Sequence, residues 1–449
     1  MAAYITRTTA TSFTSQQKFT ASMWVKGDTP PAADVYWWSI GSSGAHITIY
    51  AASNGKLNVI GAGPSAAWYQ YSNISLRDPA AWYHVVISVD TTQSVANDRI
   101  KLYINGTLYA DDSYWASRSY PAEDDALTGL VSGKIQYISS NYGASGREIK
   151  QGLMSHVHYC DGYNYAASDF GETDSTSGIW KIKTSPSVTY GNNGYFLKME
   201  DRTNLDLDSG TNAFTFTTTG TLTATYDNPS NNFCTINPLD NYYPASTFSN
   251  GNNTLVTHSS NYSYNTGTMG LSAGLWYWEE KIGSSSSYDM VGIADNPTLS
   301  TTGWLGYYTY SYGYRSDTGQ VYTGTSGSAY GGTYTTGDII GVYLDLTANK
   351  LYFAKNGTLE NSGTGVSITA AASTTHGHYL PGVGEYGSAT GGTYNLNFGN
   401  GYFGTTAVTS AVADEGGIGA FEYDPSAGTF DSASKDFRAI CTKNIKAYG

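Results

Sequence analysis

His84-Val85-Val86-Ile87-Ser88-Val89-Asp90, followed by Ile100-Lys101-Leu102-Tyr103-Ile104-Asn105-Gly106, decides the fold. Val85, Ile87 and Val89 stand opposite His84, Ser88 and Asp90, and Ile100, Leu102 and Ile104 alternate with Lys101 and Tyr103. A period of two is that of a strand with one buried face. Asn105-Gly106 supplies the two positive φ angles of a type I′ turn, so a hairpin follows. The second half repeats the arrangement. Ile340, Val342, Leu344 and Leu346 alternate with Gly341, Tyr343 and Asp345, and Lys350-Leu351-Tyr352-Phe353 leads to Asn356-Gly357. Each Lys-Leu-Tyr runs into Asn-Gly-Thr-Leu, and each is preceded by an alternating strand with a terminal Asp. The reading is an all-β chain of two related sandwiches in tandem, with helix confined to a turn or two, because no long segment has a 3.6-residue period.

Residues 201–232 lose the alternation and become rich in Thr, Asn and Asp, ending in Asp227-Asn228-Pro229-Ser230-Asn231-Asn232. Turn formers at this density mark a linker or a long surface loop. Patterning resumes by Leu255 and is plain at Leu275-Trp276-Tyr277-Trp278. The expected division is a first sandwich over 1–205, a linker over 206–245 and a second sandwich over 246–449. The segment from Gly401 to Gly449 reads either as a last strand of the second sandwich or as an arm that docks on a neighbour.

Charged residues make up 13% of the 449, about half the roughly 25% of an average soluble protein. Gly numbers 52 and Tyr 40 against 23 Lys and Arg together, a balance foreign to coiled coils and helical repeats. An aromatic fraction of 14% argues against disorder. No stretch approaches the ~18 apolar residues of a membrane span, so no membrane insertion is expected. The net charge of −13 without a basic run argues against nucleic-acid partners. Cys160, Cys234 and Cys441 are too few and too scattered for a disulfide scaffold or a zinc cluster. The opening Met-Ala-Ala-Tyr-Ile-Thr-Arg lacks the apolar core of a secretory signal, although the composition is that of an extracellular protein. A virion component, made in the host cytoplasm and freed by lysis, reconciles the two.

Several motifs carry a family resemblance. Tyr4-Ile5-Thr6-Arg7-Thr8, Ala21-Ser22-Met23-Trp24-Val25-Lys26, Leu76-Arg77-Asp78-Pro79-Ala80-Ala81-Trp82-Tyr83-His84 and Gly152-Leu153-Met154-Ser155-His156-Val157-His158 resemble the laminin-G or concanavalin-like jelly roll of tailed-phage structural proteins, often of marine phages. Gly337-Asp338-Ile339-Ile340-Gly341-Val342, Leu351-Tyr352-Phe353 and Asn395-Leu396-Asn397-Phe398-Gly399 are similar to a SPRY domain. Cys441-Thr442-Lys443-Asn444-Ile445 is similar to the close of such phage chains. The resemblance implies a virion surface protein, as a fibre, a tail appendage or a capsid decoration. By family habit it also implies a homo-oligomer, with a trimer favoured.

Catalysis of glycoside hydrolysis needs two carboxylates held about 5–9 Å apart. Glu172-Thr173-Asp174 and Glu422-Tyr423-Asp424 lack a following Glu, and Glu279-Glu280 would point to opposite faces. These read as solvated loop acids, and no catalytic residue is assigned. His156-Val157-His158 and His376-Gly377-His378 each place two imidazoles on one side of a strand, where three chains around an axis would offer six. Structural histidines are the simpler reading, with His376 and His378 kept as weak metal candidates. Asp111-Asp112 and Glu123-Asp124-Asp125 lack the Gly and alternating acids of a calcium loop, so calcium rests only on the family's occasional use of it and no cofactor is assigned.

The aromatic series is more informative. Tyr308, Tyr310, Tyr312 and Tyr314 alternate with Tyr307, Thr309, Ser311 and Gly313 after Trp304, which on one strand makes a row of phenols. Such a row stacks on sugar C–H faces or packs a sandwich. Trp68-Tyr69-Gln70-Tyr71 offers a second patch. The expected ligand-binding residues are Trp304, Tyr308, Tyr310, Tyr312, Trp68, Tyr69 and Tyr71. The expected function is a non-enzymatic virion surface protein whose partners are other virion proteins and host surface polysaccharide. The alternatives are a purely structural virion cement or connector and a polysaccharide depolymerase.

Overall fold

The computed structural model describes residues 3–27, 34–62, 67–143, 152–240, 246–258, 262–297, 303–387 and 391–449. The chain divides into two compact units, Met1–Ala224 and Thr225–Gly449. Both are β-sandwiches. Among the described residues the one α-helix is Thr442–Tyr448, and no helix is long and apolar enough to cross a membrane.

In the first unit an eight-stranded sheet runs in the order Trp115–Ser119, Trp68–Ser75, Lys56–Ala62, Ala45–Ala51, Val35–Ser42, Ile135–Ile138, Tyr4–Thr8, Thr217–Thr219. A six-stranded sheet runs Tyr195–Leu197, Leu153–Asp161, Lys18–Lys26, Trp82–Asp90, Ile100–Ile104, Thr107–Leu108. Between them lie Phe19, Trp38, Ile47, Val85, Ile87 and Leu102, as the alternation requires. Trp38 keeps its buried indole satisfied by donating to the Tyr195 hydroxyl at 2.8 Å.

The repeated hairpin phrase has a physical counterpart in both units. Asn105 and Gly106, and likewise Asn356 and Gly357, have positive φ. Asn105 Oδ1 accepts the N–H of His84 at 2.8 Å, and Asn356 Oδ1 accepts that of Ile339 at 2.9 Å. The terminal acids also match: Asp90 accepts the N–H of Thr92 and pairs with Lys18, while Asp345 accepts the N–H of Thr347 and pairs with Lys435.

In the second unit the larger sheet centres on Thr393–Asn397, Leu275–Ser284, Ile339–Asp345 and Lys350–Lys355. The smaller one runs Ser263–Thr266, Leu380–Glu385, Asp289–Ala294, Ser311–Arg315, Gln320–Thr323, Ser326–Ala329. Trp276, Trp278, Val342, Tyr314 and Phe398 fill the space between. The alternate residues Tyr277, Tyr343 and Tyr352 stand in register on the outer face. Phe421, Phe430 and Phe437 of the C-terminal segment cover them. Of the two readings of that segment, the last-strand one holds, since Arg438–Ala439 pairs in parallel with Trp276–Tyr277. The helix that follows is anchored by buried Asn444, which donates to Asp414 and to the carbonyl of Ala439.

Two expectations need correction. Residues 206–245 are not a linker. Thr217–Thr219 extends the first unit's sheet beside Tyr4–Thr6, whereas Phe233 bridges Cys441 and Ile236 bridges Gly267 in the second. The Asn and Asp side chains that suggested a linker close tight turns inside packed chain, as where Asn228 Oδ1 accepts the N–H groups of Ser230 and Asn231. The boundary falls at 224/225, and residues 241–245 lie outside the described residues.

Glu279 and Glu280 are not solvated either. Both are buried on the opposite faces that alternation predicts. Glu279 accepts from Tyr277 Oη, Asn397 Nδ2 and the N–H groups of Glu422 and Tyr423, so it latches the C-terminal segment to the sheet. Burial pushes its carboxyl up to about 7 against these bonds. Glu280 accepts from Trp278 Nε1 at 2.9 Å, and burial holds its carboxyl well above the usual range.

Candidate functional site

The outer face of the first unit's eight-stranded sheet gathers groups from four adjacent strands. Tyr36 is in register with Tyr50, Tyr50 with Asn58, and Asn58 with Tyr71. Ile49, Ala51, Leu57 and Val59 point into the core, so period-two alternation sends these four outward. A bulge between Tyr36 and Trp38 buries Trp37 and Trp38 together while keeping Tyr36 on the outer face. At roughly 4.8 Å per strand the row extends about 14 Å.

The rings pair. Tyr36 and Tyr50 stack with centroids 5.1 Å apart and planes 17° from parallel, and Tyr69 and Tyr71 stack at 4.7 Å and 16°. Tyr36 Oη donates to Asp34 Oδ2 at 3.3 Å, and Asp34 Oδ1 accepts the N–H of Ser53 at 3.0 Å. Asn58 Oδ1 accepts the N–H of Ser72 at 3.2 Å, and the Asn58 amide also bonds the Tyr50 phenol. Burial pushes that phenol up to about 12, with the Asn58 bond acting the other way, so it stays a proton donor at neutral pH. The row grades outward from buried Tyr36 and Tyr50 through half-buried Tyr69 to Tyr71, which is 38% exposed. Stacked rings beside one carboxylate and one amide match the C–H faces and hydroxyls of a sugar.

Of the second sequence patch, then, Tyr69 and Tyr71 belong to this face, but Trp68 does not. Trp68 points the other way into the core, against Gly61, where an added Cβ would come within 2.1 Å of the indole. The sequence reading missed Asp34, Tyr36, Tyr50 and Asn58. They stand up to 37 residues from Tyr71 along the chain, and only strand register brings them together.

The tyrosine row of the second unit is split. Tyr312 and Tyr314 are core residues, and Tyr310 packs against the same core. Tyr312 Oη accepts the N–H of Thr369 at 3.0 Å. The strand begins only at Ser311, because a turn precedes it in which Ser311 donates its N–H to the Tyr308 carbonyl and its Oγ accepts that of Gly306. Tyr308 therefore joins Trp304, Tyr322 and Tyr386 in a separate cluster on the outer face of the smaller sheet. Leu305 lies against that sheet over Gly382 and Gly313, which leave room only because they lack side chains. Trp304 packs edge-on against Tyr307 and Tyr386, each with centroids 4.6 Å away.

His156 and His158 are both buried. A bulge after Ser155 and a positive φ at His156 break their alternation. His158 stacks on Phe196 at 3.9 Å, while His156 lies 3.3 Å from Glu200. His376 and His378 sit 6.2 Å apart, with His376 beside Asp295 and His378 Nδ1 at 2.9 Å from the His376 carbonyl. Asp111 caps a turn at Ser113, Asp112 pairs with Arg118, and Glu123 with Arg99. Among the described residues no group of three or more His, Cys, Asp or Glu is placed to hold a metal.

Residues 2–143 match the model of the concanavalin A-like lectin/glucanases superfamily, and residues 275–392 match that of the SPRY domain. The chain joins a concanavalin-like domain to a SPRY domain. Ran-binding protein 9 of Xenopus tropicalis is 38% identical over 90 residues, which is 19% of this chain and 16% of that protein. The dual specificity protein kinase splA of Dictyostelium discoideum is 32% identical over 101 residues, 21% of this chain and 4% of the other. The chain thus spans less than a fifth of the length of either relative. Among solved structures, the SPRY domain of human HERC1 is similar at 20% identity and a TM-score of 0.31, covering 36% of this chain and 96% of that one. The concanavalin-like match contains every member of the Asp34–Tyr71 row. The SPRY match stops before the segment from Gly401 that covers its larger sheet.

Proposed function

We propose that this chain is a non-enzymatic surface protein of a tailed-phage virion that binds host surface polysaccharide through the tyrosine face of its concanavalin-like domain. The observation that carries the reading is the row Tyr36, Tyr50, Asn58 and Tyr71 across four strands, with Asp34 bonded to Tyr36 at one end and Tyr69 stacked on the exposed other. Among the described residues the row contributes a single carboxylate, Asp34, whereas glycoside hydrolysis requires two. The phage motifs and the charge-poor, tyrosine-rich composition support the virion setting. The Ran partner in the relatives' name belongs to proteins matched over a small part of their length, and it does not carry over. The SPRY domain, in this reading, is the module that meets other virion proteins.

Binding of the purified chain to an array of bacterial surface polysaccharides tests the proposal. One stacked ring contributes about 0.5–1.5 kcal/mol beyond its buried area, so Tyr71→Ala should weaken binding about two- to twelvefold, at 1.4 kcal/mol per decade. The melting temperature should not move, because Tyr71 is exposed. Wild-type chain that binds no polysaccharide would leave the structural-cement reading in its place. Release of reducing sugar would establish a depolymerase.

A further inference from the structure

Among the described residues the four large sheets of the two sandwiches have blunted edges, with one exception. In the first unit Trp115–Ser119 carries a bulge and Arg118, Thr217–Thr219 has three residues, and Thr107–Leu108 has two. The edge Tyr195–Leu197 is capped, since Asp208 accepts the N–H of Phe196 and the N–H of Ser209 reaches the Phe196 carbonyl. In the second unit Thr247–Ser249 and Thr358–Leu359 are short. The edge Ser263–Thr266 is closed by Asp240 and by the N–H of Asn237. Charge, bulges, short strands and caps are how soluble proteins prevent edge pairing.

Ser326-Gly327-Ser328-Ala329, four residues long, carries no charge, bulge or cap. All four residues are exposed at the free edge of the smaller sheet, with no Pro and no bulge. Residues 318–337 contain no Asp, Glu, Lys or Arg in a chain whose net charge is −13. The two-residue turn Gly324-Thr325, with positive φ at both, fixes the hydrogen-bond phase. Ser326 and Ser328 exchange bonds with Thr323 and Val321. Gly327 and Ala329 therefore aim their N–H and C=O groups away from the sheet, where no backbone partner meets them among the described residues.

We propose that this edge pairs with the same edge of a second copy of the chain. An antiparallel pair symmetric about Ser328 sets Gly327 opposite Ala329 of the other copy, and Ala329 opposite its Gly327. Both are hydrogen-bonded positions, so all the free groups are satisfied at once. Side chains no larger than Ser leave little to obstruct the approach, and an uncharged edge is where two chains of the same net charge meet with least repulsion. The contact is isologous and uses up both edges, while the sheet's other edge is capped, so assembly closes at a two-fold dimer in place of the trimer that the resemblance implies.

Cysteine cross-linking of the full chain tests the register. Cys160, Cys234 and Cys441 are buried, so an introduced edge thiol is the reactive one. Ser328→Cys places two thiols at a non-hydrogen-bonded pair with Cα atoms about 4.5 Å apart, inside disulfide range. Ser326→Cys leaves them about 13 Å apart at ~3.3 Å per residue. The expected result is a wild-type dimer in analytical ultracentrifugation and at least a tenfold faster disulfide-linked dimer for Ser328→Cys than for Ser326→Cys under mild oxidation. Ala329→Pro removes one outward donor, and Ser328→Lys adds an edge charge; both should be monomeric with an unchanged circular dichroism spectrum. A wild-type monomer, a trimer, equal cross-linking at the two positions, or a folded Ser328→Lys variant that stays dimeric would overturn the proposal.

Discussion

Replacing Tyr314 by alanine should lower the melting temperature of the SPRY unit by about 6–20 °C. Tyr314 is fully buried, with the rings of Phe353 and Tyr334 at 4.9 and 5.2 Å. Its hydroxyl donates to the carbonyl of Gly332. Removing a buried aromatic ring costs about 3–5 kcal/mol through lost transfer energy and the cavity left behind. In a domain of this size each kcal/mol moves the midpoint by about 2–4 °C. Tyr312→Ala should act in the same direction for the same reason. Thermal unfolding followed by circular dichroism decides the matter. Stability unchanged in both variants would contradict the core assignment and restore the tyrosine row as a surface feature.

The two units should respond to acid in opposite directions. In the SPRY unit burial raises the carboxyls of Asp240, Glu279 and Glu385 to about 7 each. A carboxyl whose pKa is raised on folding contributes stability that is complete below its unfolded value, near 4, and is lost as the pH rises through 7. In the concanavalin-like unit the imidazoles are displaced the other way. Burial depresses His84, stacked on Trp24 and bonded to Ser22 and Trp180, to about 3. It depresses His156, beside Glu200 and Lys198, to about 4, and His158, bonded to Tyr190, well below its ordinary value. These groups are kept neutral by the fold, so stability is full above pH 6.5 and falls as the unfolded state takes up protons below it. Asp161, raised by burial, opposes this trend within the same unit, one group against these three and His46, which burial also lowers. With each pKa unit worth about 1.4 kcal/mol, the shifts amount to several degrees. Calorimetry of the full chain between pH 8 and pH 5 should show one transition rising and the other falling. Two transitions that move together would contradict the assignment, and Glu279→Gln should flatten the rising one.

Strand alternation and turn chemistry were legible because both are local. Val85, Ile87 and Val89 are buried as their spacing requires, and the two Asn-Gly turns even repeat the same side-chain bond to the preceding strand. What escaped the sequence depends on contacts far apart along the chain. Phe421, Phe430 and Phe437 have no periodic spacing, yet they cover the ladder Tyr277, Tyr343 and Tyr352. Trp180 similarly closes over His84 and Trp24 in the first unit. The alternating tyrosines from 308 to 314 looked like one face until the turn closed by Ser311 divided them between two clusters. Two of the six groups of the candidate site, Tyr69 and Tyr71, were in view. The rest needed the register of four strands, which pattern alone does not supply.

The central claim, that the tyrosine face of the concanavalin-like domain takes a polysaccharide, is tested most directly by amide hydrogen exchange of the full chain with and without a polysaccharide that it captures on the array. New protection should gather on Lys56–Ala62 and Trp68–Ser75, the strands that carry Asn58, Tyr69 and Tyr71, and at a polysaccharide concentration near the wild-type Kd should be markedly reduced in Tyr71→Ala. Protection confined to the SPRY unit, or unchanged by that substitution, would contradict the account.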